Sequence, residues 1–195
     1  MRILQVLFCL LWSLTAYAGG PGDKQIFGLH EKVSIPELGI TLPAKLDTGA
    51  QTASLSARYI KVFERDGEKM VEFDLAVNRQ ERERWGIRHD QWDDVQLPLS
   101  RHVRIKRRAD SLDAQERDYS RRPVVTLTLC MGGHLARVDV NLTDRSDFRY
   151  PLLIGADALR ALKAVVDPAQ TMAMAAPACQ SVKLKNQTKE AAKAQ

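Results

Sequence analysis

The chain has 195 residues, 45% of them hydrophobic and 27% charged, proportions that suit one soluble globular domain. Its formal charge of +5 is too mild for the dense, one-sided basic surface of a nucleic-acid binder. It has no Cys/His cluster with metal-ligand spacing, so neither a metal nor another cofactor is expected.

The N-terminus reads as a leader. Arg2 is a short positive region, Ile3 to Leu14 is almost wholly apolar, and Ala16-Tyr17-Ala18 supplies a small-x-small cleavage pattern. The apolar run is shorter than the roughly 20 residues of a membrane-spanning helix. A signal peptide over residues 1–18 is therefore expected, with a periplasmic or secreted mature chain and no membrane span after cleavage. Export also argues against a nucleic-acid partner. Removing Arg2 leaves 28 basic against 24 acidic residues. Two cysteines remain, Cys130 and Cys179. They could form one disulfide, or stay as free thiols with Cys130 in the core.

From Lys24 onward the chain reads as short strands. Phe27 to Ile35 alternates loosely, Pro36 to Gly39 is a turn, and Ile40 to Leu46 is an apolar strand running into Asp47. Ala53 to Phe63 and Met70 to Val77 form a hairpin about Asp66-Gly67. Arg79 to Arg122 carries 12 basic and 9 acidic residues, with strand-like islands at Val95 to Leu99 and His102 to Lys106. This charged insertion reads as a solvated surface with a flexible loop near Ala109 to Ser120; the sharper reading is a substrate-facing lid. Pro123 to Leu129 is the strongest strand and Gly132-Gly133 turns it. Leu135 to Leu142 returns with Arg137, Asp139 and Asn141 outward. Pro151 to Ile154 is a buried strand, Ala156 to Ala164 a short helix, and Val165 to Pro168 a last strand and turn. Residues 181–195 are polar and alanine-rich and read as a disordered tail. The fold expected over 19–180 is a mainly-β barrel with one short C-terminal helix.

Asp47-Thr48-Gly49 carries the chemistry. Peptide hydrolysis by carboxylates needs one ionised group to take a proton from water and one protonated group to polarise the scissile carbonyl. Two carboxyls about 3 Å apart meet both needs, because they share a proton. Thr48 can brace such a turn by hydrogen bonding, and Gly49 lets backbone approach the carboxylate; Ala50 follows them. Leu152 to Ile154 and Gly155 read as an apolar strand crossing behind the turn. Only one Asp-Thr-Gly occurs. The second carboxylate must then come from another copy, so a homodimer with Asp47 on its axis is expected, acting on peptide or protein substrates.

At these residues the chain resembles the retropepsin-like aspartic proteases, and more closely the bacterial family labelled ATP-dependent zinc protease. The resemblance runs from Ile26 to Pro168. It includes Lys45 to Ala57, Arg122-Pro123-Val124-Val125, Val140 to Ser146 and Tyr150 to Gly155. It implies a pepsin-like half-barrel, activity as a homodimer, and Asp47 as the catalytic acid/base. Many members carry a basic residue after the second glycine, where this chain has Ala156-Asp157. Neither His-Glu-x-x-His nor a phosphate-binding Gly-x-x-x-x-Gly-Lys loop occurs, so zinc and ATP are both set aside. The competing expectation is a non-catalytic peptide-binding or scaffold module of the same fold.

Overall fold

The computed structural model describes residues 24–87, 92–106, 119–175 and 179. The expected leader and tail lie outside these residues. So does the loop expected near Ala109 to Ser120, except that its last two residues, Tyr119 and Ser120, are part of a strand.

The chain begins with β1 (Gln25–Gly28), β2 (His30–Ile35) and β3 (Ile40–Leu46). Pro36 opens the short 3-10 turn that joins β2 to β3. The long hairpin of β4 (Ala53–Arg65) and β5 (Glu68–Leu75) follows, turning at Asp66-Gly67 as expected. After the charged stretch come β6 (Val95–Pro98) and β7 (Arg101–Lys106), then the second long hairpin, β8 (Tyr119–Met131) and β9 (His134–Thr143). Gly132 and Gly133 both take positive φ, 55° and 84°, which is the geometry that a two-residue hairpin turn demands. A Cβ on Gly132 would also lie 2.8 Å from the Phe27 ring.

The strand pairings run β10 (Leu152–Ile154) to β3, β2, β8, β9 and β4, and β4 pairs again with β10. The result is a barrel-like mainly-β sheet with a thin seam, since β2 and β8 share a single residue pair, Ser34 with Cys130. Inward positions fill the core, with Leu42, Leu55, Leu127, Leu142 and Ile154 fully buried. β1 and β11 (Ala164–Asp167) form a separate parallel pair.

Among the described residues there are two α-helices where one was expected. The charged stretch holds α1 (Arg79–Trp85), started by Asn78, whose side chain accepts from the Glu81 N–H at 2.9 Å, and stopped by Gly86. It has no apolar stripe that would announce it. Trp85 packs against the core, and its indole N–H donates within the helix to the buried Glu81 at 2.8 Å. α2 (Ala156–Ala161) ends three residues earlier than expected, because Lys163 turns to φ 53° and Ala164 opens β11.

After β11 the chain crosses back over β1 and β2. Cys130 and Cys179 form a disulfide with Cα atoms 6.1 Å apart, which settles the open question of the two thiols. Upstream of it, the fully buried Glu31 carboxylate accepts from the N–H groups of Gly28, Ala173 and Met174 at 2.7, 3.1 and 3.2 Å. Burying a carboxylate is costly unless its oxygens are hydrogen-bonded, and here three backbone donors meet that need.

Candidate active site

Asp47 follows directly on β3. The strand is held on one side by β2 and on the other by β10, in parallel register with Ile154 beside Leu46. That register continues into the turn, where the Asp47 N–H donates to the Ile154 carbonyl at 2.9 Å. The carboxylate accepts from the Gly49 N–H at 3.0 Å, and the Asp47 carbonyl accepts from the Ala50 N–H at 3.3 Å. These backbone donors brace the turn. The Thr48 hydroxyl does not, contrary to expectation: the residue is exposed and its side chain makes no hydrogen bond among the described residues.

Gly155 lies against the other side of the turn. A Cβ there would sit 2.5 Å from the Thr52 carbonyl oxygen and 2.9 Å from that of Ala50, both backbone atoms. Only a glycine lets β10 approach this closely. α2 then starts with its Ala156 and Asp157 N–H groups donating to the Ala50 and Gln51 carbonyls at 2.7 and 3.0 Å. The departure at Asp157 has a local use. Its carboxylate accepts from the Gln51 side chain and pairs with Arg160, so it ties the turn to the helix.

Three further residues meet here to which no role was given from sequence. Asn141 was expected outward but is buried, because this end of β9 lies between β8 and β4 and its polar face is covered by the chain leaving the turn. Its amide donates to the Thr52 hydroxyl at 3.1 Å and the Ala53 carbonyl at 2.6 Å. Its oxygen accepts from Ser54 at 3.1 Å and from Arg122 at 3.2 Å. Arg145 lies in the loop after β9. Burial lowers its pKa, the neighbouring Arg122 lowers it further, and the charge of Asp47 partly offsets both. Burial also lowers that of Arg122. Only Asn141, a polar residue between Val140 and Leu142, carried a signal; Arg122 and Arg145 stand among polar neighbours that hide them.

Arg122 also lines an open groove of about 1080 Å³ between β4, β7 and β8. Lys106 and Arg121 give it a basic wall beside His102, while Tyr59 and Phe148 add exposed rings. The His102 pKa is lowered by burial, then by Arg121 and Lys69, which keeps the ring neutral near pH 7. Asp47 does not itself line the groove. Among the described residues no group of three or more His, Cys, Asp or Glu could hold a metal. Among them also, no helix is long and apolar enough to cross a membrane.

The family model described as retropepsin-like aspartic endopeptidase RimB matches residues 26–177. The chain belongs to this RimB-like family. A crystal structure of a Legionella pneumophila protein of unknown function is 30% identical, with a TM-score of 0.56, and the match covers 77% of this chain and 98% of that one. Two curated relatives are named probable alpha-L-glutamate ligase. The one from Shewanella halifaxensis is 29% identical over 78% of this chain, and the one from Desulfotalea psychrophila 30% identical over 77%. The chain spans only 30% of the length of each. The family thus bears out the retropepsin-like resemblance, while the curated relatives carry a ligase name rather than the zinc-protease label.

Proposed function

We propose that the chain is an aspartic peptidase, with Asp47 and its counterpart from a second copy as the catalytic dyad. The observation that carries this is one half-buried carboxylate per chain, on a turn pinned by Ile154 and Gly155, with Thr48 and Gly49 left exposed beside it. A surface of that kind can meet its own copy across a two-fold axis. The ionised Asp47 takes a proton from the water as its oxygen attacks the scissile carbonyl, and the protonated one hydrogen-bonds the carbonyl oxygen. The resulting diol collapses as a proton passes to the leaving amine, which breaks the C–N bond.

The basic groove supports acidic peptides as substrates. That this domain matches part of proteins named as glutamate ligases supports glutamate-containing ones in particular. The Cys130–Cys179 disulfide supports an oxidising, exported location. Peptide-library cleavage by the purified chain beside Asp47→Asn tests the reading. Cleavage by the wild type should be lost in the variant with its melting temperature kept; equal cleavage by both would sink it. The groove's size favours one other reading, a peptide-binding module without catalysis. It would show as peptide binding by both proteins and cleavage by neither.

A further inference from the structure

β9 ends at Thr143, but the strands on both sides of it run on. β4 pairs with β9 only over Ala53 to Ser56, and from Ala57 to Arg65 its partner is β5. The Ser56 N–H donates to the Pro151 carbonyl at 2.7 Å and its carbonyl accepts from the Ala76 N–H at 3.1 Å, so β5 takes over the edge that β10 leaves. The opposite edge of β4, vacated by β9, carries no strand along Ala57 to Val62 among the described residues. β8 matches it. Tyr119 to Pro123 pair with β7, and only from Val124 onward does β8 pair with β9. Two bare strand edges thus flank the line along which β9 would have continued, and the groove of about 1080 Å³ is the space between them. Adjacent strands lie about 4.8 Å apart, so strands that flank a third stand about 10 Å apart, the room one extended chain needs. Each bare edge is a row of N–H and C=O groups that a further strand can pair.

Apolar surface gathers at the same place. Of the six large apolar side chains exposed among the described residues, Tyr59, Val62 and Phe148 line this groove. Single exposed apolar residues are ordinary, whereas three in one groove mark a contact surface. Tyr59 sits in the β-bulge between Arg58 and Lys61 with φ 53°, a conformation that bulky residues rarely take. Its ring is left 74% exposed, so burial within this chain does little to offset the strain. The Arg58 guanidinium lies over that ring at 5.3 Å, and that of Arg145 over Phe148 at 4.7 Å, which helps to hold both rings in place.

We propose that this gap is a docking site for an extended segment of another polypeptide, which adds to the sheet where β9 stops. The segment is about four to six residues long, to match the edges Ser120 to Pro123 and Ala57 to Val62. Main-chain hydrogen bonds to β4 and β8 hold it. β4 runs parallel to β9 and β8 antiparallel to it, so a segment of either direction meets one of the two edges antiparallel. The rings of Tyr59 and Phe148 favour apolar side chains, which a strand presents to one face at every second position. What is recognised is thus backbone and apolar surface rather than charge. Asp47 lies outside the lining, so the site anchors a chain rather than cuts it, and docking does not rest on the peptidase reading.

The test uses the Asp47→Asn chain, where docking is read without cleavage, and a library of hexapeptides blocked at both ends and free of charged residues. Its binders should carry apolar residues at alternate positions. N-methylation of every second amide in the best binder removes the donors that face one edge, and should weaken it about tenfold or more. Tyr59→Ser and Phe148→Ser should each weaken it about fivefold with the melting temperature kept, since both side chains are exposed. In the complex, hydrogen exchange should slow at those amides of 57–62 and 120–122 that do not pair with β5 or β7. A library without binders, or binders indifferent to N-methylation, overturns the docking site. So does slow exchange of the same amides in the free protein, which would show a segment of this chain already filling the gap. Docking by the wild type and the variant with cleavage by neither would instead sink the peptidase reading and leave the docking site standing.

Discussion

One methyl group is enough to test how the turn is held. Gly155→Ala places a Cβ against the Thr52 and Ala50 carbonyls, and backbone atoms cannot swing aside as a side chain can. We expect a loss of about 1–3 kcal/mol in denaturant unfolding, and a disproportionate loss of activity, because the strain falls on the residues after Asp47. Asn141→Leu is the polar counterpart. It leaves the buried Ala53 carbonyl and Arg122 without their shared partner, at about 1–3 kcal/mol. His30 gives a pH signature. Its ring stacks on Tyr150 at 4.1 Å, and its pKa is lowered by burial first, then by Arg149 and Lys45. The unfolded ring titrates near 6.5. As pH falls below that value the unfolded chain takes up the proton first, so stability drops until the folded ring is protonated too. His30→Gln should flatten the fall in melting temperature below about pH 6.5; an unchanged slope would show that His30 is not its source.

The elements differ in how openly the sequence announces them, and the difference follows their physics. β3 and the β8–β9 hairpin were legible to within a few residues, because alternation and turn residues are local signals. The stretch behind Asp47 could be read as an apolar strand, but its parallel pairing with β3 is a long-range contact that no local pattern encodes. α1 was missed because its seven residues are almost all charged, although Asn78 and Glu81 stand at capping distance. Asn78→Ala should cost about 1 kcal/mol, read as earlier local opening of 79–85 in hydrogen exchange. The disulfide closes a loop with a sequence separation of 49, worth about 4 kcal/mol by chain entropy. Replacing Cys130 and Cys179 by serine should lower the melting temperature accordingly, while reduction of that double variant changes nothing further.

For the whole molecule, the fold class was legible and the site only partly so. Asp47, Gly49, Ile154 and Gly155 stand together in the sequence motifs and in space, whereas Arg122, Asn141 and Arg145 converge only when β8, β9 and the following loop are in place. Specific activity should fall on dilution as the proposed pair of copies separates, measured beside light scattering. Constant specific activity in a fully monomeric sample would rule out the shared dyad. The Glu31 cluster bears on the order in which the chain is made. Of the three N–H groups that receive this carboxylate, one belongs to Gly28 and is synthesised just before it; the other two belong to Ala173 and Met174. A nascent chain carries β1 and β2 long before it carries those two donors. Until they arrive, the sheet must either leave Glu31 in water or bury it with one hydrogen bond, and both keep this end of the barrel open. Completion of the fold is thereby tied to the late arrival of a short stretch of backbone, and a chain stopped after Gln170 should remain loose at β1 and β2 however well its central strands pair.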